Sequence, residues 1–277
     1  MNVSDTPSIA FLGTGSMSGA ILAGLVQQRE KFGSLSATTR SEESAAKIAS
    51  DGVEAVALAA EPDANRRLAA AADVVVLGVK PYQIVELLRE ISDALRSGTI
   101  VVSVAAGITT AVMEAEVGDD IAVVRVMPNT PSHVGLGVAG IAAGTGAGEG
   151  AVDVTRTIFG AVGTALVIDE SQIDALSSIS GSGPAYVFLF IEQWTRVALE
   201  LGFDERQAAA MVQGTFRGAS ELLAASDVDP AELRRRVTSP KGTTEQALAV
   251  LQGAGLDAVF REAADAAIAR AKELAAE

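Results

Sequence analysis

The feature that most constrains this chain is a series of short, mostly apolar runs that alternate with segments of helical period. The runs lie at Ile9–Leu12, Leu35–Thr39, 74–79, 100–104 and 121–126. Between them stand "SGAILAGLVQQ", "ESAAKIAS" and "IVELLREISDAL", whose apolar residues recur every three or four positions. A strand apolar on both faces must be covered on both, and the intervening helices supply that cover. The pattern therefore predicts an α/β domain built on a mostly parallel, doubly wound sheet. Two more apolar runs, 137–142 and 165–168, follow "VMPNTP" and its Gly-rich turns.

Past about residue 170 the strand pattern gives way to helical signals. Asp204 with Gln207 and Thr243 with Gln246 have the spacing of a helix-capping box, as more loosely do Ser171 and Asp174. Pro230 follows Asp229 at a first helical position, and Gly202 suits a helix stop. The expected layout is an α/β domain over 1–170 and an all-helical domain over 171–277. The most apolar window, 184–201, carries Glu192, Arg196 and Glu200. Those charges argue against a membrane span and for a helix buried between domains or subunits.

Composition removes several chemistries. The chain has no Cys, so thiolate nucleophiles, disulfides and Cys-based metal sites are excluded. His133 is the single histidine, so a Ser-His-Asp triad or most zinc sites would have to use it, and no metal site is predicted. A formal net charge of −14 leaves no basic stripe for nucleic acid. The first ten residues, "MNVSDTPSIA", have neither a basic start nor a long apolar stretch, which points to no leader and a cytoplasmic protein.

"IAFLGTGSMSGA" sets Gly13 and Gly15 directly between a strand and a helix, the context in which a Gly-rich turn receives a dinucleotide pyrophosphate. Gly13 would form the tight turn and Gly15 would let the backbone approach the phosphates. Ser18 occupies the third glycine position. At the second strand's end an NAD site calls for an acid, whereas this chain offers Thr38, Thr39, Arg40 and Ser41. A hydroxyl-and-Arg loop suits a 2′-phosphate, so the expected cofactor is NADPH, with NADH as the alternative. Lys80, after Gly78 and Val79, stands equally for a charge beside phosphate or substrate or for a loop lysine facing water. Asn129 reads as a plain turn residue before Thr-Pro.

No acid–base group of the usual kind accompanies His133. Hydride transfer to a C=N bond needs less of one than alcohol oxidation, because an iminium arrives already protonated. What it needs is an anchor for the rest of the substrate. "SGSGPAYVF" and "VTSPKGTTEQAL" are two turns of small residues that each open into a helix, where free N–H groups favour a carboxylate. In the second turn Thr243 caps the helix and leaves the Ser239 and Thr244 hydroxyls for a ligand. Ordinary capped helices would explain either turn by itself.

"FLGTGSMSGAI", "VKPYQI", "VSVAAGIT", "RVMPNTP", "SGSGPAY" and "VTSPKGTTEQAL" occur in the order and spacing of pyrroline-5-carboxylate reductases, which the chain resembles over nearly its whole length. The resemblance implies an N-terminal Rossmann-like domain, a helical dimerisation domain, and reduction of 1-pyrroline-5-carboxylate to L-proline by NAD(P)H, the last step of proline biosynthesis. It places the cofactor along Leu12, Gly13, Thr14, Gly15, Ser16 and Met17, along Thr39, Arg40 and Ser41, at Asn65, along Gly78, Val79, Lys80 and Pro81, and along Val104, Ala105 and Ala106. It places the substrate against Glu170, Ser239, Gly242, Thr243 and Thr244, with Thr244 as candidate proton donor. It further implies interleaved homodimers, assembled into larger rings, with the active site at the dimer interface. Ser16 stands where many members carry Asn or Gln, and Lys241 at a site that is often Gly. The competing readings are another two-domain reductase of the β-hydroxyacid dehydrogenase or imine reductase type, and a non-catalytic NADP-binding sensor.

Overall fold

The computed structural model describes residues 6–49 and 52–276. Residues 1–5, on which most of the reading of the N-terminus rests, and Ser50, at the end of "ESAAKIAS", lie outside them. Eight strands form one sheet: β1 (Ile9–Leu12), β2 (Leu35–Thr39), β3 (Val53–Ala57), β4 (Val74–Leu77), β5 (Ile100–Ser103), β6 (Ala122–Met127), β7 (Gly137–Ala143) and β8 (Gly163–Val167). Their order is β3-β2-β1-β4-β5-β6-β7-β8. Neighbours run parallel except β6 and β7, which pair antiparallel.

Alternation along the central strands divides the core into two layers. Ile9, Phe11, Val74, Val76, Ile100 and Val102 pack with Ile21 and Leu25 of helix Ser16–Gln27 and with Ile158 and Phe159 of helix Glu149–Gly160. Ala10, Leu12, Val75, Leu77 and Val101 pack on the opposite face with Leu68, Ile84, Leu87 and Leu88. This is the doubly wound arrangement that both-sided apolar strands require. Strand order reverses between β1 and β4, so the loops leaving their C-terminal ends part there and open a crevice.

β3 was not among the expected strands. It is an edge strand with Glu54 exposed and Val53, Ala55 and Val56 only half-buried, so it carries no continuous apolar run. Helix Ala64–Ala71 also went unanticipated, as its turn-rich approach and paired Arg66 and Arg67 hide the apolar period.

The chain divides into two compact units, one running to Ser182 and including the chain from Ala267 onward, the other Gly183–Ala266. The second is helical throughout, with helices Gly183–Glu200, Glu205–Ala224, Pro230–Arg236 and Thr243–Gly253, and the helix Leu256–Ala276 begins within it. Asp204 and Gln207 form the expected capping box, with Gln207 N–H on Asp204 Oδ1 at 2.8 Å and Asp204 N–H on Gln207 Oε1 at 3.1 Å. Pro230 opens its helix behind an Asp229 cap, and Gly202 stops the long helix at φ +94°. Two caps differ from expectation. Near residue 170 the Asp169 N–H donates to Gln172 Oε1, two residues ahead of Ser171. At 243 the capping residue is Gly242, and Thr243 is the first residue inside the helix. Among the described residues no helix is long and apolar enough to cross a membrane.

Candidate active site

β1 ends at Leu12, and Gly13 follows in the left-handed region at φ +78°. A side chain there would be strained and its Cβ would collide with Val79 Cγ1, so only glycine fits the turn. Gly15 caps helix Ser16–Gln27 without a side-chain bond, and a Cβ on it would meet nothing within 4 Å. Among the described residues the backbone N–H groups of Ser16 and Met17 make no hydrogen bond. The loop is thus an open cradle at a helix N-terminus, as a pyrophosphate requires. Ser18, at the third glycine position, is buried with its hydroxyl unpaired, and the tight approach of helix to sheet is made by Gly78 instead. A Cβ on Gly78 would collide with Ser18 Oγ.

The cradle is held by a residue that the sequence offered only as part of the hydroxyl-and-Arg loop. Thr38 is fully buried. Its hydroxyl accepts the Gly13 N–H at 3.0 Å and donates to Asn65 Oδ1 at 2.8 Å. Its carbonyl accepts the Thr14 N–H at 2.7 Å. Asn65 in turn donates to Glu90 Oε2 at 3.4 Å. Beyond Thr38, the Thr39 hydroxyl donates to the Ser41 carbonyl at 2.9 Å, and Ser41 Oγ accepts from Ser44 N–H at the start of helix Glu42–Ile48. Arg40 is exposed at the tip between them.

Two further strand ends meet this edge. Gly78 N–H donates to the Leu12 carbonyl at 2.8 Å, and Val104 N–H donates to the Leu77 carbonyl at 3.2 Å. The ends of β1, β4 and β5 therefore bring Gly13, Gly78, Val79, Val104 and Ala105 together as a floor of small residues. Ala105 is buried and Ala106 exposed. Lys80 is exposed and opens the short turn Pro81–Gln83.

Glu170 lies in the same unit but its carboxylate is already engaged. One oxygen accepts the Thr110 N–H at 2.8 Å and Arg125 Nη1 at 3.2 Å, and the other accepts the Thr110 hydroxyl at 2.7 Å. Arg125 is a buried guanidinium, with Asp174 at 3.9 Å as its second counter-charge. Asn129 departs from the plain-turn reading. It is buried, donates to the Ser180 carbonyl at 2.9 Å and accepts the Val138 N–H at 2.8 Å. It thereby ties "MPNTP" to the π-helical turn Ser177–Gly181. His133 has partners too: Ser16 Oγ lies 3.1 Å from its Nε2 and the Thr130 carbonyl 2.9 Å from its Nδ1.

The second turn belongs to the helical unit. Ser239 O accepts the Gly242 N–H at 2.9 Å, and Lys241 sits in the left-handed region at φ +60°. The Lys241 N–H donates to Glu245 Oε2 at 2.7 Å. Because the cap is a glycine, no side chain occupies the helix start. The N–H groups and hydroxyls of Thr243 and Thr244 make no hydrogen bond among the described residues, and the Ser239 hydroxyl likewise has none. A convergent set of free donors with a helix dipole behind it suits a carboxylate.

The comparisons with known proteins run along both units. The family profile described as pyrroline-5-carboxylate reductase dimerisation matches residues 170–274, and that described as NADP oxidoreductase coenzyme F420-dependent matches residues 8–107. A pyrroline-5-carboxylate reductase of Pseudomonas aeruginosa is 39% identical over 98% of this chain and 97% of its own length. The solved pyrroline-5-carboxylate reductase of Coxiella burnetii superposes with a TM-score of 0.89 at 36% identity, covering 99% of both chains. The pyrroline carboxylate reductase of Plasmodium falciparum, solved with NADP bound, superposes with a TM-score of 0.80 at 26% identity over 98% of this chain and 99% of its own.

Proposed function

The chain belongs to the pyrroline-5-carboxylate reductase family, and we infer from this that it reduces 1-pyrroline-5-carboxylate to L-proline with NADPH, closing proline biosynthesis. The observation that carries the reading is the near full-length identity to such reductases, joined to a glycine cradle that a side chain at Gly13 would destroy. When bound, the dinucleotide supplies the hydride.

The protein's own residues bind, orient and protonate. We assign the pyrophosphate to the loop Leu12–Met17, whose free N–H groups at Ser16 and Met17 support it. Thr39, Arg40 and Ser41 take the adenosine end, where an exposed guanidinium between two hydroxyl residues favours a 2′-phosphate. Asn65 holds that end through Thr38. Gly78, Val79, Lys80, Pro81, Val104, Ala105 and Ala106 line the remainder. The substrate carboxylate falls to Ser239, Gly242, Thr243 and Thr244, with the Thr244 hydroxyl as proton donor to the ring nitrogen. Glu170 contributes through a carboxylate already ordered by Thr110 and Arg125.

The division into a dinucleotide domain over 1–170 and a substrate and dimerisation domain over 171–277 is supported by the dimerisation profile, which begins at residue 170. Self-association runs through that helical part, and we extend it to homodimers joined in a larger ring. The protein is assigned to the cytoplasm. Absorbance of NADPH followed with 1-pyrroline-5-carboxylate tests the activity. Turnover of a hydroxy acid or ketone with none of the cyclic imine would overturn it, and binding of NADPH without any turnover would favour the sensor.

A further inference from the structure

We propose that His133 makes dinucleotide binding take up a proton, acting through Ser16 on the glycine cradle. The inference rests on the assignment of the pyrophosphate to that cradle. The Thr130 carbonyl can only accept, so the ring nitrogen beside it, Nδ1, is the one that carries hydrogen. In the neutral ring, Nε2 is then an acceptor, and the Ser16 hydroxyl 3.1 Å away spends its single proton on it. Ser16 is the first residue of helix Ser16–Gln27, beside the open Gly15 position. With its proton turned to His133, the hydroxyl shows only lone pairs to an arriving phosphate.

Protonation of Nε2 from solvent reverses the polarity of this pair. The imidazolium donates to Ser16 Oγ, and the Ser16 proton is released to point at the cradle. A neutral residue that faced the anion with lone pairs becomes a donor, with a positive charge directly behind it. Among the described residues His133 forms no ion pair, and its ring contacts are Ser16 Oγ and the Thr130 carbonyl. The two elements packed most closely against the 130–134 turn are helix Ser16–Gln27 and β7, and neither carries an ionisable side chain. The turn itself holds no other. The bound phosphates are therefore the anion that favours the imidazolium, and linkage requires that each stabilise the other.

The test is calorimetric titration of the full chain with NADP⁺, in buffers of different ionisation enthalpy, for wild type, His133→Asn and Ser16→Ala. The wild type should take up more protons per site than His133→Asn, a difference that cancels any titration of the nucleotide itself. The ratio of variant to wild-type Kd should widen several-fold between about pH 8 and about pH 6, the range where imidazole changes charge. Ser16→Ala should lose part of the extra proton uptake. Equal uptake in wild type and His133→Asn, with a Kd ratio that does not vary with pH, would overturn the coupling while leaving the cofactor site intact. Full uptake in Ser16→Ala would overturn the route through Ser16. Absence of NADP⁺ binding to the wild type would remove the cradle assignment and this inference with it.

Discussion

The Thr38 hydroxyl donates to Asn65 Oδ1 at 2.8 Å, and both side chains are buried beneath the glycine loop. Because the same oxygen accepts the Gly13 N–H, one atom joins the second strand, the cradle and the helix that carries Asn65. Thr38→Val keeps the shape and removes all of this. It leaves a buried amide oxygen and a backbone N–H each short of a partner, at a cost of about 1–3 kcal/mol. The thermal midpoint should fall by several degrees, and Kd for NADPH should rise because Gly13 loses its tether. A variant with a lowered midpoint and unaltered Kd would show that the bond supports the fold alone.

Asp73 contributes to acid stability at the other end of the sheet. Burial raises its pKa, but Ser8, donating to Oδ2 through both its N–H (2.9 Å) and its hydroxyl (2.7 Å), and Arg96 at 3.1 Å outweigh that and bring it below the ordinary value. A depressed folded pKa contributes stability that is complete above the unfolded value, about 3.9, and disappears as pH falls through the folded one. Asp73→Asn should therefore be less stable than wild type at neutral pH. The gap between their denaturation midpoints should close as pH drops below about 4. A gap that persisted in acid would mean that the carboxylate's charge is not what binds Ser8 and Arg96.

Thr244 is the residue of the substrate turn to alter first. Its N–H and hydroxyl are free at a helix start capped by Gly242, so Thr244→Ala removes a donor without breaking an internal bond. If the hydroxyl protonates the ring nitrogen, kcat should fall by about two orders of magnitude, the lower range for a positioned proton donor. Kd for NADPH should stay near that of wild type, and Thr244→Ser should recover most of the rate. An unchanged kcat would reduce Thr244 to the second residue of an ordinary helix.

What the amino-acid order disclosed, and what it hid, divides by range. β1, β4 and β5 were legible because strands buried on both faces must be apolar without interruption. β3 was not, because an edge strand with Glu54 outward obeys no such rule. Gly13 could be read from its place between strand and helix, since a positive φ is a local demand. Thr38, Arg125 and His133 could not, because their meaning comes from partners 27, 45 and 117 positions away in the chain. The cap at residue 243 was misplaced by one residue for a related reason. Thr243 has a capping side chain, yet Lys241 in the left-handed region turns the backbone so that Gly242 takes the position.

The helical unit buries little apolar surface of its own. Its buried apolar cluster consists of Ala198, Ala208 and Val212, while Phe188 is 66% exposed, Leu189 53% and Trp194 51% on one helix. Val259 and Phe260 are open on another. Burying each such large side chain contributes about 1.5–3 kcal/mol, so a second chain laid on this surface supplies what the unit lacks. Phe188→Glu would place a carboxylate in that contact, at a side chain that is mostly exposed. Sedimentation velocity should show the wild type as a dimer or larger and the variant shifted to monomer, with Phe188→Leu remaining assembled. The wild-type thermal midpoint should also rise with protein concentration, as mass action demands when folding and association are coupled, and the variant's should not. A Phe188→Glu protein that sediments like wild type would place the dimer contact elsewhere on the helical unit, and a monomeric wild type would remove the dimer altogether.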